Sequence, residues 1–251
     1  MKVAACQAPL EAANSKKVPD FLREKIDICE SQGVGILCCP EGAIGGLADY
    51  AFRSAEIAIN VEGGELERVL KPLASDTVTA IVGFTEAGRE GRLYNSAAVF
   101  ERGSVAGIYR KVHPAINRSV YTAGTEMPVF TIGGLTFGIL ICRDSTYPEL
   151  ARTMTAKGAS VLFVPSNNGL PPVKAGPELV SETTAADIRM AVENGVYVVR
   201  ADVAGRHKGL VSYGSSAITG PTGGLLAKAT ELVPGLIVAE IENEKILSKI
   251  S

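Results

Sequence analysis

Residues 135–141 form an apolar run that stops abruptly at Cys142, and the chain then reads Arg143-Asp144-Ser145-Thr146-Tyr147 before Pro148-Glu149 opens a helical pattern. A buried strand, a short polar turn and a helix start are what an open α/β sheet presents at the carboxyl end of a strand. A cysteine at that point is placed as a nucleophile. It is equally consistent with a buried structural thiol, because cysteine is among the most buried residue types. Spacing alone leaves both readings open.

The rest of the chain alternates in the same manner. Strand-like stretches occur at 2–7, 36–39, 79–85, 161–164, 196–201, 215–219, 225–229 and 236–241, and 93–100 with 105–109 read as a hairpin around Arg102-Gly103. Helical spacing is seen at 15–31, where Val18, Phe21, Leu22, Ile26 and Cys29 share a face, Pro19 falls in the first turn and Gly33 caps the end. Further helices are expected at 47–58, 65–74, 148–158 and 178–194. Residues 42–46 form a glycine-rich loop, and 166–177, with its prolines and glycines, must be irregular; long loops of that kind are usually functional or disordered. No linker-like change of composition interrupts the chain, so 1–251 is read as one domain.

One internal echo ties the pattern together. Residues 33–41 read GVGILCCPE and residues 158–166 read GASVLFVPS, each after a helix, each with a glycine, a buried leucine and a strand-ending proline at matching offsets. Alternating strands and helices with such an echo suggest two similar α/β halves facing each other. The polar residues after the two prolines would then lie at the same end of the sheets.

Bulk composition removes several classes of function. A net charge of −2 leaves no electrostatic footprint for nucleic acid or an anionic membrane. No apolar run approaches the ~20 residues of a membrane span, and the amino terminus lacks a signal-peptide layout. Five cysteines without a C-x-x-C pair, and only two histidines, argue against disulfide scaffolds and metal sites, so a reducing cytoplasm is the expected location. Cys6, Cys29, Cys38 and Cys39 read as small buried hydrophobes.

An unperturbed thiol is mostly protonated at neutral pH, so a nucleophilic Cys142 needs a base or a nearby cation. His207 lies in what reads as a basic, glycine-flanked loop, and His113 sits two residues beyond a more suggestive lysine, Lys111, at the end of a strand. Glu41 follows Pro40 directly out of a buried strand, where charges seldom occur without a partner. Taken singly, Glu41 and Lys111 also fit ordinary surface charges.

Taken together, PEGAIGG with Glu41, YRKVHP with Lys111 and GILICRDSTYPE with Cys142 resemble, in order and spacing, the three signature blocks of the nitrilase, or carbon–nitrogen hydrolase, superfamily. The resemblance extends to the first strand with Gln7, the ENGVYVV run and Gly214-Ser215-Ser216. It implies a four-layer αββα sandwich of the α/β class, a Glu-Lys-Cys triad, and a homo-oligomer built from dimers. Carried over, Glu41 is the general base, Cys142 the nucleophile, and Lys111 the cation opposing the oxyanion, with the Arg143 backbone N–H as a further donor. Such chemistry needs no metal or organic cofactor.

Two residues bear on which branch. Where many relatives carry a second glutamate in the loop after the lysine, this chain has Asn117. Asp144, two residues after the cysteine, resembles amidase and carbamoylase branches rather than nitrile-cleaving ones. The expected activity is therefore cysteine-dependent hydrolysis of small amides or N-carbamoyl compounds through a thioester. An acyl- or amidotransferase on the same scaffold, or a non-catalytic binding protein retaining the fold, are the alternatives. Asn117, Tyr147, Asn167 and Asn168 are the candidate substrate contacts, with turn formation as the plainer reading for the asparagines and simple packing for Tyr147.

Overall fold

The computed structural model of the protein describes residues 1–11, 15–51, 53–115 and 119–242. Its first strand, β1 (Lys2–Pro9), divides its side chains between two cores. Val3 and Ala5 enter one, and Ala4, Cys6 and Ala8 enter the other. That two-residue period marks a strand buried on both faces. The helix α1 (Lys17–Gln32) follows, closed by Gly33 in the left-handed region at φ 69°, and lays Leu22, Ile26 and Cys29 on the outer core.

Next come β2 (Val34–Cys38), β3 (Ile59–Asn60), α2 (Glu65–Leu70), β4 (Thr79–Ala87), β5 (Leu93–Glu101) and β6 (Ser104–Arg110). Then β7 (Val129–Ile132), β8 (Leu135–Ile139), α3 (Pro148–Ala156), β9 (Val161–Pro165) and α4 (Pro177–Asn194) precede β10 (Tyr197–Ala201), β11 (Val203–His207) and β12 (Leu210–Ser212). The last strands are β13 (Ala217–Thr219), β14 (Leu225–Lys228) and β15 (Gly235–Glu240). One sheet runs β12-β11-β1-β2-β4-β5-β6, with β15 beside β1 and β3 beside β4; the other runs β14-β13-β10-β9-β8-β7.

The sheets pack face to face. Ile36, Cys38, Ile81 and Val99 of the first meet Phe137, Ile139, Val161 and Phe163 of the second in one inner core. Helices α3 and α4 cover the second sheet's outer face through Leu150, Ala151, Met154, Met190 and Ala191. The layers are therefore helix, sheet, sheet, helix, the α/β sandwich expected from the resemblance. All four non-candidate cysteines are fully buried and unpaired. Among the described residues no helix is long and apolar enough to cross a membrane.

The echo corresponds to a real equivalence. Helix α1 feeds β2, and α3 feeds β9, each an inner strand of its own sheet. Their ends meet: the Glu41 N–H donates to the Ser166 carbonyl at 3.2 Å.

Several elements differ from expectation. The helix expected at 47–58 is instead two short 3-10 turns, Ala48–Tyr50 and Ser54–Ile57. Partners outside the helical pattern take its main chain: the Ala48 N–H donates to the distant Tyr121 hydroxyl, and the Ala48 carbonyl accepts from Ser54 Oγ within the same stretch. The helix at 65–74 stops at Leu70 and tightens into a 3-10 turn around Pro72, which cannot continue an α-helix. The loop expected around His207 is a hairpin: His207 ends β11, and Lys208 and Gly209 turn the chain at φ 43° and 80°. A Gly133-Gly134 turn joins β7 to β8, a hairpin the apolar run had concealed. The expected irregular stretch holds from 166 to 176, apart from one 3-10 turn, Pro172–Lys174, and a bridge from Leu170 to Val211, and Pro177 already opens α4.

Gly83 on β4 has a specific task. A Cβ there would run into the Pro40 carbonyl, the Gly42 nitrogen and the Glu41 Cα, so only glycine lets the Glu41 corner lie flat on the sheet. Gly83→Ala is expected to lower stability by about 1–3 kcal/mol through overpacking. Gly224→Ala, at a site with open space around it, should be near neutral. Urea midpoints of the two variants check this; equal midpoints would mean that the corner has room to move.

Candidate active site

Three distant stretches of chain converge at the carboxyl ends of β2 and β8 and just past β6. Beyond β2, the Cys39 N–H donates to the Ile81 carbonyl at 2.8 Å and carries the chain to Pro40 and Glu41. Gly42, at φ 61°, then turns it away. Glu41 is 3% exposed. Lys111 leaves β6 with its N–H on the Asn95 carbonyl and its own carbonyl on the Gly124 N–H, each at 2.8 Å. The Lys111 ammonium, also buried, donates to Glu41 Oε1 at 2.6 Å, and Asn95 Nδ2 donates to the same oxygen at 2.7 Å. Among the described residues no bond falls on Oε2.

Cys142 sits at the corner after β8 with φ 47°, in the left-handed region that costs a side-chain-bearing residue energy. It opens a 3-10 turn, Cys142–Thr146, rather than the α-helix itself, which begins at Pro148. The turn is closed by the Ser145 hydroxyl on the Cys142 carbonyl at 2.7 Å and by the Asp144 N–H on the Ile141 carbonyl at 3.0 Å. The Arg143 N–H takes no main-chain partner among the described residues, as is usual for the first N–H groups of a helical turn.

The Cys142 thiol lies within electrostatic reach of both other residues. Burial pushes its pKa up to about 11, the Glu41 carboxylate adds to the rise, and Lys111 and Arg200 oppose it. For Lys111, burial works against the charge, but the Glu41 carboxylate and the Cys142 sulfur more than compensate, so its pKa is raised.

Asp144 joins the cysteine corner to the lysine. It is fully buried; Oδ2 accepts from the Tyr109 hydroxyl at 2.7 Å and the Val112 N–H at 3.3 Å, and Oδ1 from the His113 N–H at 2.8 Å. The main chain just after Lys111 and the Tyr109 side chain just before it are thereby held to the Cys142 turn. Burial raises the Asp144 pKa, and the Tyr109 hydroxyl and His113 N–H pull it back. Tyr147 stacks on His113 with ring centroids 3.5 Å apart, and Arg143 Nη1 donates to the Ala115 carbonyl at 2.8 Å.

The candidate substrate contacts separate. Asn167 lines a cavity of about 630 Å³ together with Glu41 and Tyr50. Its Oδ1 accepts the Gly169 N–H at 3.1 Å, a local turn bond, and its Nδ2 approaches the Glu41 carbonyl at 3.5 Å. Asn168 is committed elsewhere: its Nδ2 donates to Asp202 Oδ2 at 2.9 Å and Ser215 Oγ at 3.3 Å. Tyr147 is engaged by His113. Asn117 lies outside the described residues. Tyr50 connects the cavity to the three residues, being within electrostatic reach of Glu41, Cys142 and Lys111. Among the described residues no group of three His, Cys, Asp or Glu side chains is arranged to hold a metal.

Asn95, Tyr109 and the bonding role of Asp144 escaped the sequence reading. Their signal was present as polar groups inside stretches that read as buried strand or turn, where each must find a partner.

The sequence model for carbon-nitrogen hydrolases matches residues 2–248. The chain belongs to the carbon–nitrogen hydrolase family. It is 32% identical over 248 residues to a nitrilase of Pyrococcus abyssi, covering 96% of this chain and 90% of that one. It is 32% identical over 197 residues to an (R)-stereoselective amidase of Pseudomonas sp., covering 77% and 68%. Its fold matches a nitrilase-superfamily amidase from Nesterenkonia AN1 with a TM-score of 0.79 at 24% identity, over 99% of this chain and 93% of that one. For this carbon–nitrogen hydrolase, fold and family are thus fixed independently of the site geometry.

The electrostatics lead to a signed expectation. Iodoacetamide alkylation of Cys142 should rise with pH toward a midpoint near 11. Glu41→Gln removes a negative neighbour and lowers that midpoint; Lys111→Ala removes a positive one and raises it. The fitted value belongs to the cluster, since the groups titrate together. Peptide mapping confirms the site, and an unmoved midpoint in Glu41→Gln would mean the thiol does not face that carboxylate.

Proposed function

We propose that this carbon–nitrogen hydrolase cleaves linear amides or N-carbamoyl compounds through a thioester on Cys142. Glu41 serves as general base and Lys111 with the Arg143 N–H as oxyanion donors. The observation that carries the reading is the Glu41 carboxylate, fixed through Oε1 by Lys111 and Asn95 while the Cys142 thiol lies within its electrostatic reach.

A thiol with a pKa near 11 is ionised in only roughly one molecule in 10⁴ at pH 7. Proton transfer therefore accompanies attack. Oε2 of Glu41 takes the thiol proton as sulfur bonds to the carbonyl carbon, and the carbonyl π electrons move onto oxygen. The Lys111 ammonium and the Arg143 N–H stabilise that oxyanion. Glu41 then returns the proton to the departing nitrogen, the C–N bond breaks, and a thioester and a free amine result. A water, deprotonated by Glu41, attacks the thioester; the C–S bond breaks, and the proton returns to the thiolate.

The acyl part is assigned to the cavity that Glu41 and Asn167 open into, whose walls include Leu10, Val18, Leu47 and Ile57. At about 0.8 kcal/mol per buried methylene, kcat/KM should rise about fourfold per added acyl CH₂ until the space is filled. A flat series from acetamide to hexanamide would remove the cavity from the acyl site.

A homo-oligomer is also inferred. Val192 on α4 and Leu226 on β14 are half-exposed, and the turn at Gly223 that leads into β14 lies beside Ile188 and Val192 of α4, leaving exposed apolar side chains at this edge of the outer helix layer. Light scattering at micromolar concentration should report a dimer or a multiple of it; a monomer would overturn this.

Cys142→Ala should abolish turnover in a folded protein. Glu41→Gln and Lys111→Ala should each lower kcat by ~10²-fold or more. The double variant should lose far less than the product of the two, because the residues act as a unit. Mass spectrometry of the protein with an amide panel should find an acyl adduct on Cys142. Retention of more than a few per cent activity in Cys142→Ala would end the assignment.

A further inference from the structure

Arg200 stands within β10 and is 3% exposed. A charge in the middle of a buried strand needs partners, and Arg200 has more than charge balance requires. Its Nε donates to Asp187 Oδ2 and its Nη2 to Asp187 Oδ1, each at 2.6 Å, a two-pronged pair with α4. Burial works against the guanidinium charge, and Asp187 more than compensates.

The remaining donors reach further. Nη1 donates to Ser166 Oγ at 2.6 Å, and Nη2 also donates to Ser145 Oγ at 2.9 Å. Each serine holds the main chain of one residue of the site. The Ser145 hydroxyl donates to the Cys142 carbonyl at 2.7 Å, and the Ser166 carbonyl accepts the Glu41 N–H at 3.2 Å. A hydroxyl donates one proton and accepts on its lone pairs, so Ser145 accepts from Arg200 and donates to the Cys142 carbonyl at the same time. One guanidinium thus reaches both the thiol-bearing corner and the carboxylate-bearing corner through one serine each.

We propose, building on the roles assigned above to Cys142 and Glu41, that the Arg200–Asp187 pair positions the nucleophile and the base for reaction. Cys142 at φ 47° occupies a backbone well that surrounding bonds must enforce, and the Arg200–Ser145 relay enforces it. The Arg200–Ser166 relay sets the main chain that carries Glu41. Arg200 acts through the serines and does not touch substrate. Only a fork of fixed geometry can serve Asp187 and two serines at once; a lysine, with a single point charge on a flexible stem, cannot.

The test uses three variants of the full chain. Arg200→Lys keeps the charge and loses the fork. Arg200→Met combined with Asp187→Leu removes both charges, so neither is left buried alone. Ser145→Ala cuts only the relay to Cys142 and, as a small change, preserves folding if the others do not. In folded protein, each variant is expected to lower kcat by about 10- to 100-fold, the scale of a misplaced reacting group. KM should stay within about twofold of the parent, because no substrate contact is lost. The rate of iodoacetamide labelling at Cys142, at fixed pH, should fall in the same variants. Labelling reads the corner whether or not Cys142 is the turnover nucleophile, which Cys142→Ala decides separately. A folded Ser145→Ala or Arg200→Met/Asp187→Leu protein with parental kcat and parental labelling would overturn the positioning role and leave the pair as a tie between α4 and β10.

Discussion

An ammonium and a carboxylate held 2.6 Å apart, with side chains only 2% and 4% exposed, impose conditions on everything around them. Removing two such charges from water costs several kcal/mol per ion, and the pair survives only with good geometry and further hydrogen bonds. The first sheet supplies both. Asn95 on β5 gives a second donor to the same carboxylate oxygen, and its carbonyl fixes the Lys111 N–H. Gly83 on β4 leaves space for the Glu41 corner. The consequence reaches the chemistry. With Oε1 saturated, the negative charge is pinned near Cys142, where it suppresses the free thiolate and offers Oε2 as a proton acceptor. In the proposed mechanism, a base that raises the pKa of its own nucleophile makes the proton move only when sulfur bonds to carbon.

The thiol is held from the other sheet, and the connection between the two is the segment after β6. Asp144 collects the Tyr109 hydroxyl and the Val112 and His113 N–H groups, Tyr147 stacks on His113, and Arg143 reaches Ala115. Tyr147, which read in sequence as a candidate substrate contact, is thus spent on fastening the lysine loop to the cysteine corner. An aspartate suits that work, since one buried carboxylate can accept several main-chain donors at once.

What could be read from the sequence follows the same division. The strands with unbroken apolar runs and the helix faces were legible because burial writes itself into composition at a fixed period, the buried cysteines because that residue type is seldom exposed, and the four-layer sandwich through the family resemblance. Glu41, Lys111 and Cys142 were legible because charge or thiol directly after a buried strand is unusual, and because the three blocks occur in a known order. The 47–58 stretch misled because its helical spacing is real but its main chain is taken by Tyr121 and Ser54, partners far along the chain or outside the helical pattern. The β11–β12 hairpin hid behind a Lys208-Gly209 turn, since lysine is a poor advertisement for positive φ. Asn95 and Arg200 stood in plain view as polar residues within strands, but nothing local says which atoms they meet.

That last point explains why the site lies where it does. Glu41, Asn95 and Lys111 belong to the first sheet, whereas Cys142, Ser166 and Arg200 belong to the second. The spacing of Cys142 and Glu41 is therefore a property of how the two sheets pack, about 10 Å face to face in general, and not of any one loop. The inner core, with Cys38 and Ile81 against Phe163 and Val161, sets the coarse distance. The Glu41 N–H on the Ser166 carbonyl crosses the seam at the equivalent ends of β2 and β9. A two-fold echo in the sequence is then more than a trace of similar halves. It delivers a polar residue from each half to the same point, Glu41 with its carboxylate and Ser166 with the main-chain carbonyl that accepts the Glu41 N–H.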